Sequence, residues 1–168
     1  MEDDPGGVPD ELWKRLGEVG MLGIRVPEAH GGAEQGLLET AIAYEELGRA
    51  LAPTPHLASC IFAAGALARA GSDAQKQAWL PRIASGDAVL TPAWLEPDGG
   101  FGPKGIRATA TADGDAIVLR GTKRHVPFAA RADRLVVVAR TGDAPEAIDL
   151  FLVDPGSPGV RLTQQLAL

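Results

Sequence analysis

Apolar positions recur at helical spacing through the first half of the chain and at strand spacing through the second. Leu12, Leu16 and Val19 form one stripe behind Pro9, while Asp10/Lys14 and Glu11/Arg15 stand one turn apart on the other side, which predicts an amphipathic first helix. Gly20, Gly23 and residues 26–32, with their proline and paired glycines, end it in an extended stretch and a turn. The period resumes over residues 37–49, through Leu37, Leu38, Ala41, Ile42 and Tyr44, with Glu45 and Arg49 placed to pair. Residues 53–70 read as an Ala-rich helix closed by Gly71. Ser72-Asp73-Ala74-Gln75 then forms a capping box, in which the Ser72 and Gln75 side chains satisfy free amides of a fourth helix. That helix runs to about Ala84, gathers Trp79, Leu80 and Ile83, and breaks at Ser85-Gly86-Asp87.

From Asp87 the helical period is gone. Strands are predicted over residues 88–95, 106–112, 116–120, 135–140 and 148–153, and Asp113-Gly114 between two of them suits a type I′ hairpin turn, which needs positive φ. Helices followed by strands without βαβ alternation predict an α+β chain: a helical domain over residues 1–86, then an antiparallel sheet or barrel over 87–168. Residues 160–168 read as an unfinished last strand whose edge needs a partner.

Composition narrows the function classes. At 168 residues the chain is long enough to bury about 70% of its unfolded surface. Its 45% hydrophobic and 23% charged content excludes wholesale disorder. The net charge is -6 with no run of basic residues, which argues against nucleic acid. Residues 1–86 hold 12 acids and 7 bases, against 10 and 9 in residues 87–168, so an anionic cofactor is better accommodated in the second half. A single cysteine, Cys60, excludes an intrachain disulfide and fits a reducing compartment, the cytoplasm by default. The acidic start lacks the features of a secretory signal. The longest uncharged stretch, residues 51–68, is broken by Pro53, Pro55 and His56 and falls short of a membrane span.

The order of particular words along the chain is more specific. Residues 12–13 and 20–32, Glu45-Glu46-Leu47-Gly48-Arg49, Gly71 to Lys76, Trp79-Leu80-Pro81, Gly86-Asp87, Glu96-Pro97, residues 119–123, Ala132-Asp133 and residues 136–140 together resemble the acyl-CoA dehydrogenase family, over residues 10 to about 163. The resemblance implies a helical amino-terminal domain, a β-rich middle domain and an oligomer. It also implies FAD-dependent oxidation of an acyl-CoA thioester, with the α-proton going to a carboxylate and the β-hydride to the flavin. A dry cleft that polarises the thioester carbonyl is the physical requirement. The base comes from a carboxyl-terminal helical bundle in the family, which this chain does not reach, so no catalytic base is assigned here.

The family's flavin-contact positions map onto Trp94, Leu95, Gly100, Phe101, His125 and Pro127, and three of them lose the hydroxyl of the pattern. Leu95 replaces a threonine before Glu96-Pro97, and Phe101 replaces a serine after Gly100. Pro127 replaces the threonine of a Trp-Ile-Thr segment, here His125-Val126-Pro127, and removes an amide donor as well. Three lost hydrogen bonds at about 1 kcal/mol each weaken flavin binding by about two decades.

Each residue also has a plainer reading. Glycines and prolines over residues 96–103 make a tight turn in any protein, and His125 and His30 suit an exposed loop and a turn. His56 has no partner at metal-ligand spacing, and no metal is expected. Cys60 reads as a small buried hydrophobe, and Trp13 and Trp79 as core aromatics. Trp94 either lines a ligand site or fills the sheet. Lys123 and Arg124 read as solvated charges or, less directly, as contacts to CoA phosphates. Three functions follow. The first is an acyl-CoA dehydrogenase segment and the second a partner subunit that has lost its own FAD, which Leu95, Phe101 and Pro127 favour. The third is a flavin monooxygenase on the same scaffold.

Overall fold

The computed structural model describes residues 8–165. Its helical layer comprises α1 (Asp10–Glu18), α2 (Leu37–Arg49), a π-helical segment (Leu57–Ala63) that runs directly into α3 (Ala64–Ala70), and α4 (Asp73–Ser85). Five strands follow: β1 (Leu90–Ala93), β2 (Thr109–Asp113), β3 (Ala116–Arg120), β4 (Arg134–Arg140) and β5 (Ile148–Val153). No helix among the described residues is long and apolar enough to cross a membrane.

Helices precede the sheet as the periodicity predicts, but the pairing is mixed rather than wholly antiparallel. The order is β1-β4-β2-β3, with β5 also on β4. β1 runs parallel to β4, Leu90 opposite Arg134, and β2 meets β4 in parallel at Thr109 and Arg140; β2/β3 and β4/β5 are antiparallel. The connection from β1 to β4 contains a complete hairpin, whose two passes cancel, so the chain re-enters the sheet in its original direction. Parallel neighbours require such a long crossover.

Local signals account for the element ends. Ser72 Oγ accepts from the Gln75 amide at 3.3 Å, and the Gln75 side chain accepts from the Ser72 amide at 2.9 Å, closing the capping box of α4. Gly86, at φ +87°, ends that helix in the left-handed conformation glycine adopts without strain. The hairpin turn sits one residue later than expected. Asp113 pairs with Ala116 around Gly114-Asp115, and only Gly114 has positive φ, the glycine-first arrangement of type II′ loops. Residues 160–165 form no strand; residues 1–7 and the last three of the expected final strand lie outside the described residues.

Which helix faces turn inward differs from the stripes in the sequence. Trp13 is buried in α1, whereas Val19, the residue after its last turn, is exposed. Glu11 and Arg15 pair at 2.9 Å, but Asp10 reaches Arg131 and leaves Lys14 to Glu18. In α2 the buried positions are Thr40 and Ala43, and Leu37, Leu38 and Ile42 face outward. Leu22, Leu80 and Ile83 from the helical layer meet Leu90 of β1 and Val136 of β4 in one core that joins both layers. Cys60 lies fully buried in it, and burial pushes its thiol pKa up, so it stays unionised. Trp79 packs on the core edge between the Arg82 and Arg134 guanidiniums, 4.8 and 4.7 Å from its ring.

His56 supplies a pH-dependent contribution to this core. Its Nε2 donates to the Met21 carbonyl at 3.0 Å, so Nδ1 accepts from the Tyr44 hydroxyl at 2.8 Å, and the ring is held neutral. Burial lowers its pKa, opposed by the Met21 bond. Below the unfolded value of about 6.5 the unfolded chain therefore takes up a proton before the native one. Stability is full above that pH and falls as pH drops toward the native value. Denaturant titrations at stepped pH should show this slope in the natural chain and lose it in His56→Gln.

Candidate functional site

All four residues of β1 are buried, because the strand lies beneath the π-helical segment on one side and pairs with β4 along its edge. Ser59, inside the π-helical segment, fixes the register by accepting the Leu90 amide at 3.1 Å. That register places Phe62 against Trp94, one residue past the last paired position of β1. The two rings meet edge to face with centroids 5.5 Å apart, and Trp94 remains 37% exposed. Trp94 therefore neither fills the sheet nor is solvated alone; with Phe62 it forms a half-open aromatic wall.

The chain leaving β1 is tied to the loop of residues 121–128. The Arg124 amide donates to the Leu95 carbonyl at 2.9 Å, Arg124 Nη1 to the Pro97 carbonyl at 2.9 Å, and Thr91 Oγ1 to the Pro127 carbonyl at 2.6 Å. Below these lies a buried ion pair. Lys123 Nζ is 2.6 Å from Glu96 Oε1, with the two side chains 10% and 6% exposed, and it also donates to the Trp94 carbonyl at 3.3 Å. The Glu96 carboxylate accepts the Arg107 and Ala108 amides at 3.0 and 3.1 Å. Burial pushes the Glu96 pKa up, but the Lys123 hydrogen bond, the two amides and the Lys123 charge outweigh it and hold the carboxyl below its usual value. Lys123 is thus neither a solvated charge nor available to a phosphate, which corrects both sequence readings. The spacing of 27 residues between the partners gives no local signal of the pair.

Trp94, Leu95, His125 and Pro127 are brought together by these ties. Gly100 and Phe101 lie farther along the loop that follows Pro97, where Gly100 packs on Gly105, and Phe101 is 88% exposed. Arg140 holds the far side of that loop through the Pro103 and Ile106 carbonyls at 2.9 and 3.2 Å, a role the sequence does not advertise. His125 is exposed, accepts from Arg124 Nε at 3.0 Å, and has φ +52°. Two concavities lie away from this rim: one lined by Leu67, Val136 and Phe151, the other by Gly17, Gly23, His30, Gly32 and Ser85.

The helical layer and the five-stranded mixed sheet, sharing one core, define an α+β protein. The family model of the acyl-CoA dehydrogenase N-terminal domain matches residues 1–87, and that of the acyl-CoA dehydrogenase middle domain matches residues 92–167. The chain belongs to the acyl-CoA dehydrogenase family.

It is 41% identical over 153 residues to acyl-CoA dehydrogenase FadE27 of Mycobacterium tuberculosis, covering 91% of this chain and 39% of that one. Among solved structures it resembles the ChsE4-ChsE5 complex of M. tuberculosis, with a TM-score of 0.84, 35% identity, and coverage of 96% of this chain and 42% of that one. It also resembles a glutaryl-CoA dehydrogenase of Mycobacterium smegmatis in complex with FADH2, with a TM-score of 0.81, 34% identity, and coverage of 90% and 39%. The chain spans about two-fifths of the length of the curated relatives it matches.

The donor set at the rim does not fit a tightly held flavin. Leu95 and Phe101 carry no hydroxyl, and Pro127 has neither hydroxyl nor amide hydrogen. The Lys123 ammonium is engaged by Glu96, and the Leu95 carbonyl by Arg124. The ties that hold the two segments together are made, and the side chains of Leu95, Phe101 and Pro127 add no hydrogen-bonding group to the rim.

Proposed function

We propose that this chain, with a helical unit over residues 1–86 and a β-rich unit over 87–168, is part of a subunit in an assembly that oxidises an acyl-CoA thioester to its α,β-unsaturated form. In that assembly a motif-complete partner holds most of the FAD, and this chain supplies one wall of the cleft. The observation that carries the reading is an intact frame with three replaced contacts. The ties among Glu96, Lys123, Arg124, Leu95, Thr91 and Pro127 are all made, yet Leu95, Phe101 and Pro127 offer no side-chain hydrogen bond. The exposure of Trp94, Phe101, His125 and Pro127 supports it too, since a dry dehydrogenation site needs a second surface to exclude water. The resemblance to the ChsE4-ChsE5 complex is consistent with pairing between different subunits.

A second reading is a subunit that holds its own FAD through backbone groups, favoured by the resemblance to a glutaryl-CoA dehydrogenase in complex with FADH2. Flavin content separates the two. Purified alone, the chain should carry well under one flavin per polypeptide, and co-purified with a motif-complete homologue the pair should carry flavin and become reducible by an acyl-CoA. One FAD per chain in the isolated protein would establish the second reading instead.

A further inference from the structure

The loop of residues 121–128 holds two non-glycine residues, His125 and Phe128, both at φ +52°. A histidine and a phenylalanine in the left-handed region persist only where neighbouring contacts over-determine the backbone. The anchors are the cross-ties already described. The innermost of them, Lys123, reaches two groups of the opposite segment with its side chain, the Glu96 carboxylate and the Trp94 carbonyl. Glu96 in turn collects the Arg107 and Ala108 amides, so the pair joins the exit of β1, the loop before β2 and the loop after β3 at one buried point.

The geometry points to Lys123 and Glu96 as a positioning pair that sets the separation between Trp94-Leu95 and His125-Pro127, and so the width of the cleft wall offered to an acyl-CoA. Neither side chain is placed to touch the ligand, and both act through the backbone they hold. Part of the inference rests on the reading of the rim as an acyl-CoA cleft, and the test is arranged so that this part can fail separately.

The rival role is purely structural, in which each charge serves only to keep the other from being buried alone. Lys123→Met and the double variant Glu96→Gln/Lys123→Met distinguish the two. The single variant leaves a buried carboxylate unpaired and should lower the melting temperature. The double variant removes that unpaired charge, while the glutamine side chain retains an oxygen for the Arg107 and Ala108 amides, so melting should return close to that of the natural chain. Under the positioning role the bridge to Trp94 is still absent. The Arg124 amide, which donates to the Leu95 carbonyl, should then exchange with solvent at least tenfold faster in the double variant, measured well below its melting temperature. Octanoyl-CoA, used as the probe, should bind at least tenfold more weakly. Recovery of Arg124 protection together with melting temperature would overturn the positioning role. If the natural chain fails to bind octanoyl-CoA in its assembly, the cleft reading falls, and Arg124 exchange alone still decides whether the pair positions the two segments.

Discussion

The combined variant Leu95→Thr/Phe101→Ser/Pro127→Thr is expected to bind FAD about a hundredfold more tightly than the natural chain. Each substitution restores one side-chain hydroxyl at the rim, and the third also restores a backbone amide. A net contribution of about 1 kcal/mol for each of the three hydroxyls sums to about 3 kcal/mol, or about two decades in Kd, before anything the amide adds. The scaffold should tolerate all three. Phe101 is almost fully exposed, Leu95 lies outside the core, and the Thr91 bond to residue 127 uses a carbonyl that threonine retains. Quenching of flavin fluorescence measures the affinity, and a melting curve with unchanged midpoint excludes a folding artefact. Single variants should each recover about five- to tenfold. Unaltered affinity in the combined variant would show that these positions do not face a flavin, and the partner-subunit reading would lose its support.

Features encoded within a few residues were legible in the sequence, and features that depend on distant partners were not. The Ser72/Gln75 capping box, the limits of α2 at Leu37–Arg49 and of β5 at Ile148–Val153, and the break at Gly86 match their sequence signals, because each is decided by neighbours along the chain. The stripe of α2 that faces the core is not the most hydrophobic one. Leu38 and Ile42 carry the stronger hydrophobic signal, but the layer beneath has room for Thr40 and Ala43 and a hydrogen-bonding partner for Tyr44. Helical spacing predicts a helix before α3 without revealing the wider π turn in which Ser59 meets β1. Strand direction failed for the same reason: nothing near β1 or β4 records that an intervening hairpin reverses the chain twice.

The rim shows the same division. Resemblance to the family located Trp94, Leu95, His125 and Pro127, and the structure places them on two segments stitched together. It could not supply Phe62 or the burial of Lys123, since neither residue has a local pattern that sets it apart from a core aromatic or a surface charge. What makes the site a site is therefore the set of cross-chain ties. Substitutions at its visible surface should alter ligand affinity directly, whereas substitutions at its hidden supports should act through folding or through the spacing of the segments they hold.

Gly105→Ala is the sharpest instance of the second kind, expected to cost about 3 kcal/mol of stability and to lower Tm by about 6–12 °C. A Cβ at residue 105 would fall inside contact distance of the Gly100 carbonyl oxygen and amide nitrogen. Both obstructing atoms are backbone, so no side-chain rotamer can relieve the clash. Residue 105 also precedes Ile106, whose carbonyl accepts Arg140 Nε, and Arg107 and Ala108, whose amides are held by Glu96. Displacement there is therefore resisted by two further anchors, and the strain must be absorbed by opening the loop between Glu96 and Ile106. Gly100→Ala provides the control. Its Cβ meets nothing within 4 Å, so the same methyl group a few residues away should leave Tm nearly unchanged. If both variants melt alike, the close approach of Gly100 to Gly105 does not support the loop, and the shape of the rim beyond Pro97 must be maintained by the other anchors, Arg140 and Glu96.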